Sequence, residues 1–215
     1  MFDSIIFDLD GTLWDSTVPI CESWNVVLKR HAEIKRPPVT INELGECMGL
    51  PMYDIAAKLF PLESKEVQTA IMDELCAYEN EYLSEHGARL FDGLENVLSL
   101  LSKRYRLFIV SNCQDGYIEA FLKAHRLAKY FDDIFISSDF QTKKPDIRFF
   151  EALKNKHGLK PKQTLFIGND SRCDIDGAKQ VEFDTFYVNS NISPKDDKAE
   201  NADYIVDNFT EWLRK

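Results

Sequence analysis

Short apolar runs rich in β-branched and aromatic residues recur along the chain, and such runs are typical of strands covered on both faces, as in parallel sheets. The predicted strands are 4–7, 106–110, 134–137, 164–168, 185–188 and 204–206. Between the later runs, apolar residues recur at intervals of three and four, as on one face of a helix. The predicted helices there are 94–103, 115–125, 146–157 and 175–180. This alternation predicts an α/β fold with a Rossmann-like, mostly parallel sheet and helices on both faces.

Residues 16–86 interrupt the alternation, because this segment has helical spacing and no strand pattern. Helices are predicted at 17–31, after the capping-box sequence Thr40-Ile-Asn-Glu43, from Pro51 to about 60, and over 64–85 with Gly87 as the stop. The sequence therefore predicts two domains: a core formed by 1–15 and 87–215, and an all-helical domain at 16–86 inserted after the first strand.

Two carboxylates, Asp8 and Asp10, follow the first predicted strand, at the end of the sheet where ligands bind in open α/β folds. Their charges repel each other, and a hard cation such as Mg²⁺, which prefers oxygen ligands, relieves the repulsion. Because side chains alternate along a strand end, one aspartate can be nucleophile and metal ligand while the other offers its carbonyl to the metal and its carboxyl to the substrate. A plain polar turn is the competing interpretation. An EF-hand calcium loop fits less well, because Gly11 comes too early.

Three further polar groups stand at the ends of predicted strands or before helices. Ser111 follows the second strand, where a hydroxyl can hold phosphate oxygens, although an ordinary Ser-Asn turn explains it better when it is taken alone. A Lys-Lys pair ending at Lys144 can offset the charge of carboxylates and phosphate, whereas such a pair alone is usually a solvated surface. Asp170 and Asp174 follow another apolar strand and can complete an oxygen shell around Mg²⁺.

Taken in order, these segments resemble the four motifs of the haloacid dehalogenase (HAD) superfamily, in its phosphatase branch. The four motifs are Phe7-Asp-Leu-Asp-Gly-Thr-Leu13, Ser111-Asn112, Lys144-Pro145, and Gly168-Asn-Asp170 with Asp174 four residues further on. Asn169 departs from the pattern, because it stands where many members have the first Asp of the fourth motif. The inserted helices lie at the position of the family's C1 cap, and Met48-Gly-Leu-Pro-Met52 is similar to the phosphoglycolate phosphatase–β-phosphoglucomutase group.

The resemblance implies a covalent mechanism with a metal cofactor. Asp8 would attack phosphorus and form a phosphoaspartate, while Asp10 would act first as general acid and then as general base. Mg²⁺ would be bound by Asp8, the Asp10 carbonyl and Asp170, with Asn169 and Asp174 supporting that arrangement from behind.

The resemblance also implies contacts to the phosphate and to the rest of the substrate. Ser111 and Lys144 would be catalytic, since they stabilise the transferring group. Phosphate contacts are expected from Asp8, Gly11, Thr12, Ser111, Asn112 and Lys144. Substrate contacts are expected from Trp14, Met48, Gly49 and Leu50, although a plain helix–helix turn explains the last three equally well.

The function implied is a Mg²⁺-dependent phosphatase for a small-molecule phosphate monoester, similar to phosphoglycolate or a sugar phosphate. A phosphomutase and a non-catalytic protein that binds a phosphorylated ligand stay open as alternatives. Dehalogenation is disfavoured, because dehalogenases of this superfamily lack the second acid, here Asp10.

Composition and charge indicate which partners and which compartment to expect. The 215-residue chain has a formal net charge of −10, which argues against nucleic acid or an anionic membrane as a partner. Its five cysteines are widely spaced and form no Cys-x-x-Cys pair, as expected of reduced thiols in the cytoplasm. The first strand begins too early to leave room for a signal peptide, and no apolar run is long enough to cross a membrane. A monomer or weak dimer is expected.

Overall fold

A parallel sheet of six strands runs through the centre of the molecule in the computed structural model, which describes residues 1–47, 50–140, 142–194 and 197–207. The strands in this part of the chain are β1 (Ser4–Phe7), β2 (Trp14–Asp15), β3 (Arg89–Leu90), β4 (Arg106–Ser111), β5 (Asp133–Ile136), β6 (Thr164–Gly168), β7 (Asp184–Val188) and β8 (Tyr204–Val206). The sheet order is β5-β4-β1-β6-β7-β8, with every neighbouring pair parallel. The predicted α/β fold is confirmed.

Helices cover both faces of the sheet. They are α1 (Thr17–Leu28), α2 (Ile41–Gly45), α3 (Met52–Leu59), α4 (Lys65–His86), α5 (Leu94–Leu101), α6 (Tyr117–His125), α7 (Ile147–His157) and α8 (Gly177–Lys179), with a π-helical turn at Ser171–Asp176. Ile5 and Phe7 face an apolar cluster that continues into α1–α4, whereas Ile6 faces a second cluster. Burial on both faces explains why the strands are continuous apolar runs.

The central position of β1 gathers the expected site residues. In register, Phe7 lies between Ile109 of β4 and Ile167 of β6. The next residue, Asp8, donates its backbone N–H to the Ile167 carbonyl at 2.8 Å. Parallel strands in register end at the same edge, so the residues that follow β1, β4 and β6 lie side by side.

The helices α1–α4 form one segment, 17–86, which lies over this edge of the sheet and is called the helical segment below. At its two junctions the chain forms the short antiparallel pair β2–β3, in which Trp14 faces Leu90 and Asp15 faces Arg89. The pair was not predicted, because two-residue strands have no measurable periodicity. The predicted domain boundaries fall beside these strands, and the division into two domains stays a prediction.

Two general expectations about the chain can be compared with the structure. All five cysteines are free thiols. No helix in the described ranges combines the length and apolar character needed to cross a bilayer.

Candidate active site

A cavity of about 650 Å³ lies between the carboxyl edge of the sheet and the helical segment. Most of the residues predicted from the sequence lie on its wall: Asp8, Asp10, Leu50, Ser111, Asn112, Lys144, Asn169, Asp170 and Asp174. Met48 and Gly49, the other two predicted contacts from this turn, lie outside the described residues. A cavity of this size is in the range of small-molecule sites.

Lys144 joins two buried carboxylates at the base of the cavity. Its Nζ donates to Asp8 Oδ1 and to Asp174 Oδ1, each at 2.6 Å, and the residue is only 4% exposed. Burial opposes the lysine charge, yet Asp174 and Asp8 together raise the pKa of Lys144 well above its usual value, so it stays protonated. Burial raises the pKa of Asp8, against the influence of Lys144, and raises that of Asp174 to about 7. The site therefore has a fixed cation among carboxylates that are costly to ionise.

Asn112 fixes the backbone of Lys144. Its amide Nδ2 donates to the Lys144 carbonyl at 3.0 Å, and its Oδ1 accepts from the Lys144 N–H at 2.9 Å. The Asn112 amide is thus paired at both ends and positions Lys144, while its expected contact with phosphate stays a prediction. Ser111, 4% exposed, accepts from the Cys113 N–H at 3.2 Å and keeps its hydroxyl proton to donate.

Asp10 has its carboxyl held by three donors. Its Oδ1 accepts from the Trp14 indole at 2.9 Å, from the Ser16 hydroxyl at 2.6 Å and from the Tyr117 hydroxyl at 2.7 Å. Burial raises the pKa of Asp10, and the three hydrogen bonds oppose that shift. Trp14 is fully buried, so the expectation that it touches the substrate is corrected: it orients Asp10. Ser16 and Tyr117 were missed because neither belongs to a motif, and Tyr117 comes from the distant helix α6.

Gly11 and Thr12 lie in the turn behind the cavity rather than on its wall. The Gly11 N–H donates to the Trp14 carbonyl at 2.9 Å, and the Thr12 N–H donates to the Leu9 carbonyl at 3.2 Å. The Thr12 hydroxyl is buried and donates toward Asp8 Oδ2 at 3.4 Å. These groups are already paired, so we revise the expectation that Gly11 and Thr12 contact phosphate. Their contacts are those of residues that support Asp8.

Asn169 packs against this turn, and Gly11 makes room for it. Gly11 has a φ of +78°, and a Cβ there would lie 2.6 Å from Cγ of Asn169. In the orientation that satisfies its neighbours, that amide donates to the Asp10 carbonyl at 2.9 Å and to Asp8 Oδ2 at 3.3 Å. Asn169 therefore contacts two of the three groups expected to hold the metal, the Asp8 carboxylate and the Asp10 carbonyl.

Asp170 and Asp174 are fixed by the π-helical turn that follows β6. Asp170 caps this turn, because its Oδ1 accepts from the Cys173 N–H at 2.7 Å. Asp174 Oδ2 accepts from the Asp170 N–H at 3.1 Å, and a Cβ on Gly168 would lie 2.3 Å from the same oxygen. The turn begins at Ser171, four residues before the predicted helix, because the Asp170 cap starts it early.

One carboxylate on the cavity wall, Glu79 of the helical segment, was not predicted from the sequence. Glu79 of α4 is 2% exposed and lies on the cavity wall, where it accepts from the Trp24 indole and, at 2.8 Å, from Gln114 Nε2. Burial raises the pKa of Glu79 to about 8. On a helix of low overall hydrophobicity, a glutamate is expected to face solvent, so the sequence held no signal for this one.

The Glu79→Gln variant is expected to have a stability that depends less on pH than that of the wild type. The folded protein holds the Glu79 proton up to about pH 8, whereas the unfolded chain releases it near pH 4.5, so wild-type stability falls as pH rises between these values. Glutamine imitates the protonated acid, so the variant should gain stability relative to wild type over that window. Urea unfolding across the window measures this gain. The exposed Glu81→Gln on the same helix is the control, and a difference between Glu79→Gln and wild type that is constant with pH would contradict the assignment.

Comparisons with known proteins agree with this geometry. Residues 5–188 match the haloacid dehalogenase-like hydrolase family. A phosphoglycolate phosphatase of Vibrio parahaemolyticus is 25% identical over 218 residues, covering 97% of this chain and 93% of that protein. A solved structure from Haemophilus somnus, described as a predicted phosphoglycolate phosphatase, has a TM-score of 0.83 at 24% identity and covers 99% of this chain and 97% of its own. The HAD-hydrolase YfnB of Bacillus subtilis, bound to magnesium, has a TM-score of 0.70 at 19% identity, with coverage of 99% and 97%.

A parallel sheet with acids and a lysine at its carboxyl edge, under inserted helices, defines a HAD-type hydrolase. The chain belongs to the haloacid dehalogenase-like hydrolases, since the family match covers most of its length. The predicted superfamily and the predicted class of enzyme are confirmed.

Proposed function

We propose that this protein is a Mg²⁺-dependent phosphatase that hydrolyses a small-molecule phosphate monoester through a phosphoaspartate on Asp8. The observation that carries the proposal is the ion pair between Asp8 and the buried Lys144, on the wall of a cavity that also contains Asp10 and Ser111. The magnesium in the related YfnB structure and the phosphatase among the relatives support it.

The donor set fits a magnesium ion. Asp8, Asp10, Asp170 and Asp174 are carboxylates on one cavity, with Lys144 as the cation buried among them, so a hard cation would balance the remaining charge. In the described part of the chain, no three His, Cys, Asp or Glu side chains converge on one point. Two carboxylates, Asp8 and Asp170, with the Asp10 carbonyl would hold the ion. When bound, it would polarise a phosphate oxygen and neutralise charge.

The proposed reaction consists of two displacement steps at phosphorus. An Asp8 oxygen attacks phosphorus while the ester P–O bond breaks, and its electron pair leaves with the alcohol oxygen, which takes a proton from Asp10. Burial raises the pKa of Asp10 and so favours the protonated acid that this step needs. In the second step Asp10 takes a proton from water, the water oxygen attacks phosphorus, and Asp8 is released. Lys144 and the Ser111 hydroxyl stabilise the phosphoryl oxygens in both steps.

Removal of the metal is expected to lower the activity at least about 100-fold, because the carboxylates would then face phosphate with only Lys144 as compensation. The test measures phosphate release from a panel of small phosphate esters with Mg²⁺, with a chelator, and after Mg²⁺ is restored. Circular dichroism on the same samples controls for unfolding. Release that is unchanged by the chelator would contradict the metal assignment, and isomerisation of a phosphorylated sugar without release would contradict the hydrolase.

A further inference from the structure

Glu79, in the C-terminal half of the longest helix of the helical segment, places a carboxyl group on the same cavity as Asp8. Its two oxygens are directed by the Trp24 indole of α1 and by the Gln114 amide from the loop after β4. Three titratable groups interact with it electrostatically: Asp10, Cys76 on its own helix, and Tyr117. None of these three groups is a cation when charged, so nothing in this cluster attracts an anion.

The cations on the described cavity wall are already paired. Lys144 is shared by Asp8 and Asp174, each at 2.6 Å. Lys58 donates to the Glu46 carbonyl at 2.9 Å and lies 3.5 Å from the Glu46 carboxylate. A carboxylate carried into this cavity by a substrate would therefore meet further acids without a free lysine or arginine on the described wall, and burying an unpaired charge is costly.

Gln114, a residue of the same wall, has a buried acceptor atom. Gln114 Oε1 is buried and has no hydrogen-bond partner among the residues that the structure describes, although Nε2 of the same amide is paired with Glu79 and Asn80. A buried acceptor without a partner gains when a ligand hydroxyl donates to it. The cavity volume of about 650 Å³ leaves room for an alcohol much larger than two carbons.

We infer that Glu79, with Gln114, selects phosphate esters whose leaving alcohol is uncharged and hydroxylated and rejects esters that carry a carboxylate. This inference rests on the proposed phosphatase function and names its substrate class. The Vibrio relative is named for phosphoglycolate, an ester that bears a carboxylate. The inference therefore assigns this chain a substrate of a different class.

The test compares esters that differ only in this group. With the full-length, Mg²⁺-loaded protein at pH 9, above the pKa of about 8 of Glu79, kcat/KM is measured for 2-hydroxyethyl phosphate against phosphoglycolate, and for glycerol 1-phosphate against 3-phosphoglycerate. In each pair, the ester of the uncharged alcohol is expected to have a kcat/KM at least about tenfold higher than the ester that carries the carboxylate. Preference for the carboxylate member in both pairs, or for 2-aminoethyl phosphate over 2-hydroxyethyl phosphate, would overturn the inference while leaving the phosphatase intact. No release from any ester would overturn the phosphatase and the inference together.

The variant Glu79→Gln tests the role of the side chain. At pH 9 the wild-type carboxyl is ionised. The variant is then expected to lower the ratio of kcat/KM for the uncharged ester to that for the carboxylate ester by about tenfold. The change should come mainly from a lower KM for the carboxylate esters. Glu81→Gln, exposed on the same helix, should leave the preference unchanged. A preference that Glu79→Gln does not alter, in a variant with wild-type circular dichroism, would overturn the assignment to Glu79. The wild-type comparison stands even if the variant fails to fold.

Discussion

The Asp8→Asn variant is expected to lose phosphate-ester hydrolysis by a factor of about 10⁴ or more in kcat, as for other enzymes that lose their nucleophile. The amide has the shape of the carboxylate but cannot form the acyl phosphate. The fold should be retained, because burial already raises the pKa of Asp8 and Lys144 keeps Asp174 as a partner. Single-turnover phosphate release measures the loss, and acid-quenched labelling should detect phosphoenzyme in the wild type only.

Asp132→Asn is the matched control for this variant. Asp132 is half-exposed and pairs with Arg106 at the surface, so the same chemical change there should leave kcat within about twofold, as for most surface substitutions. If Asp8→Asn kept more than a few per cent of wild-type kcat, with the folded-state spectrum intact, Asp8 would not be the nucleophile.

The Lys144→Met variant is expected to lose both activity and stability. Methionine fills most of the volume of the lysine side chain but carries no charge. Asp8 and Asp174 would then face each other without the ammonium group that lies 2.6 Å from each of them in the wild type. Loss of one charge from a fully buried cluster costs about 3–5 kcal/mol of unfolding free energy, and loss of charge stabilisation at phosphorus costs about 10²–10³-fold in kcat. Urea unfolding and steady-state kinetics in Mg²⁺ measure the two effects separately.

Lys143→Met tests whether the position rather than the charge matters. Lys143 is the exposed neighbour of Lys144, so the same substitution there should change stability by less than about 0.5 kcal/mol and leave kcat near the wild-type value. Equal effects of the two substitutions would show that the charge acts at long range, and would contradict the contact role assigned to Lys144.

The sequence was most informative where a buried strand ends in polar residues. Asp8, Ser111 and Asp170 each follow an apolar run, and parallel strands in register bring such ends together without further information. The strands and the family resemblance were therefore predictable, and so was the placement of these residues on one cavity.

Contacts made at a distance along the chain were not predictable in the same way. Tyr117 reaches Asp10 from a helix 107 residues further on, and Asn112 pairs with the backbone of Lys144. Both depend on how loops cross the sheet edge, which apolar periodicity does not specify. Glu79 was missed for a related reason, since only packing shows that its side of α4 is covered.

The β2–β3 pair has a consequence for how this chain can change over time. Because Trp14–Asp15 and Arg89–Leu90 lie against each other, the helical segment leaves and re-enters the sheet layer at one place. A stretch whose two ends lie side by side can lengthen, shorten or be exchanged without separating the strands beneath it, since each doubling of its length adds only about 0.6 kcal/mol to the cost of closing the loop. Glu79 lies inside that stretch and Asp8 outside it, so substitutions at Glu79 that alter which alcohol is recognised can accumulate separately from the residues that act on phosphorus.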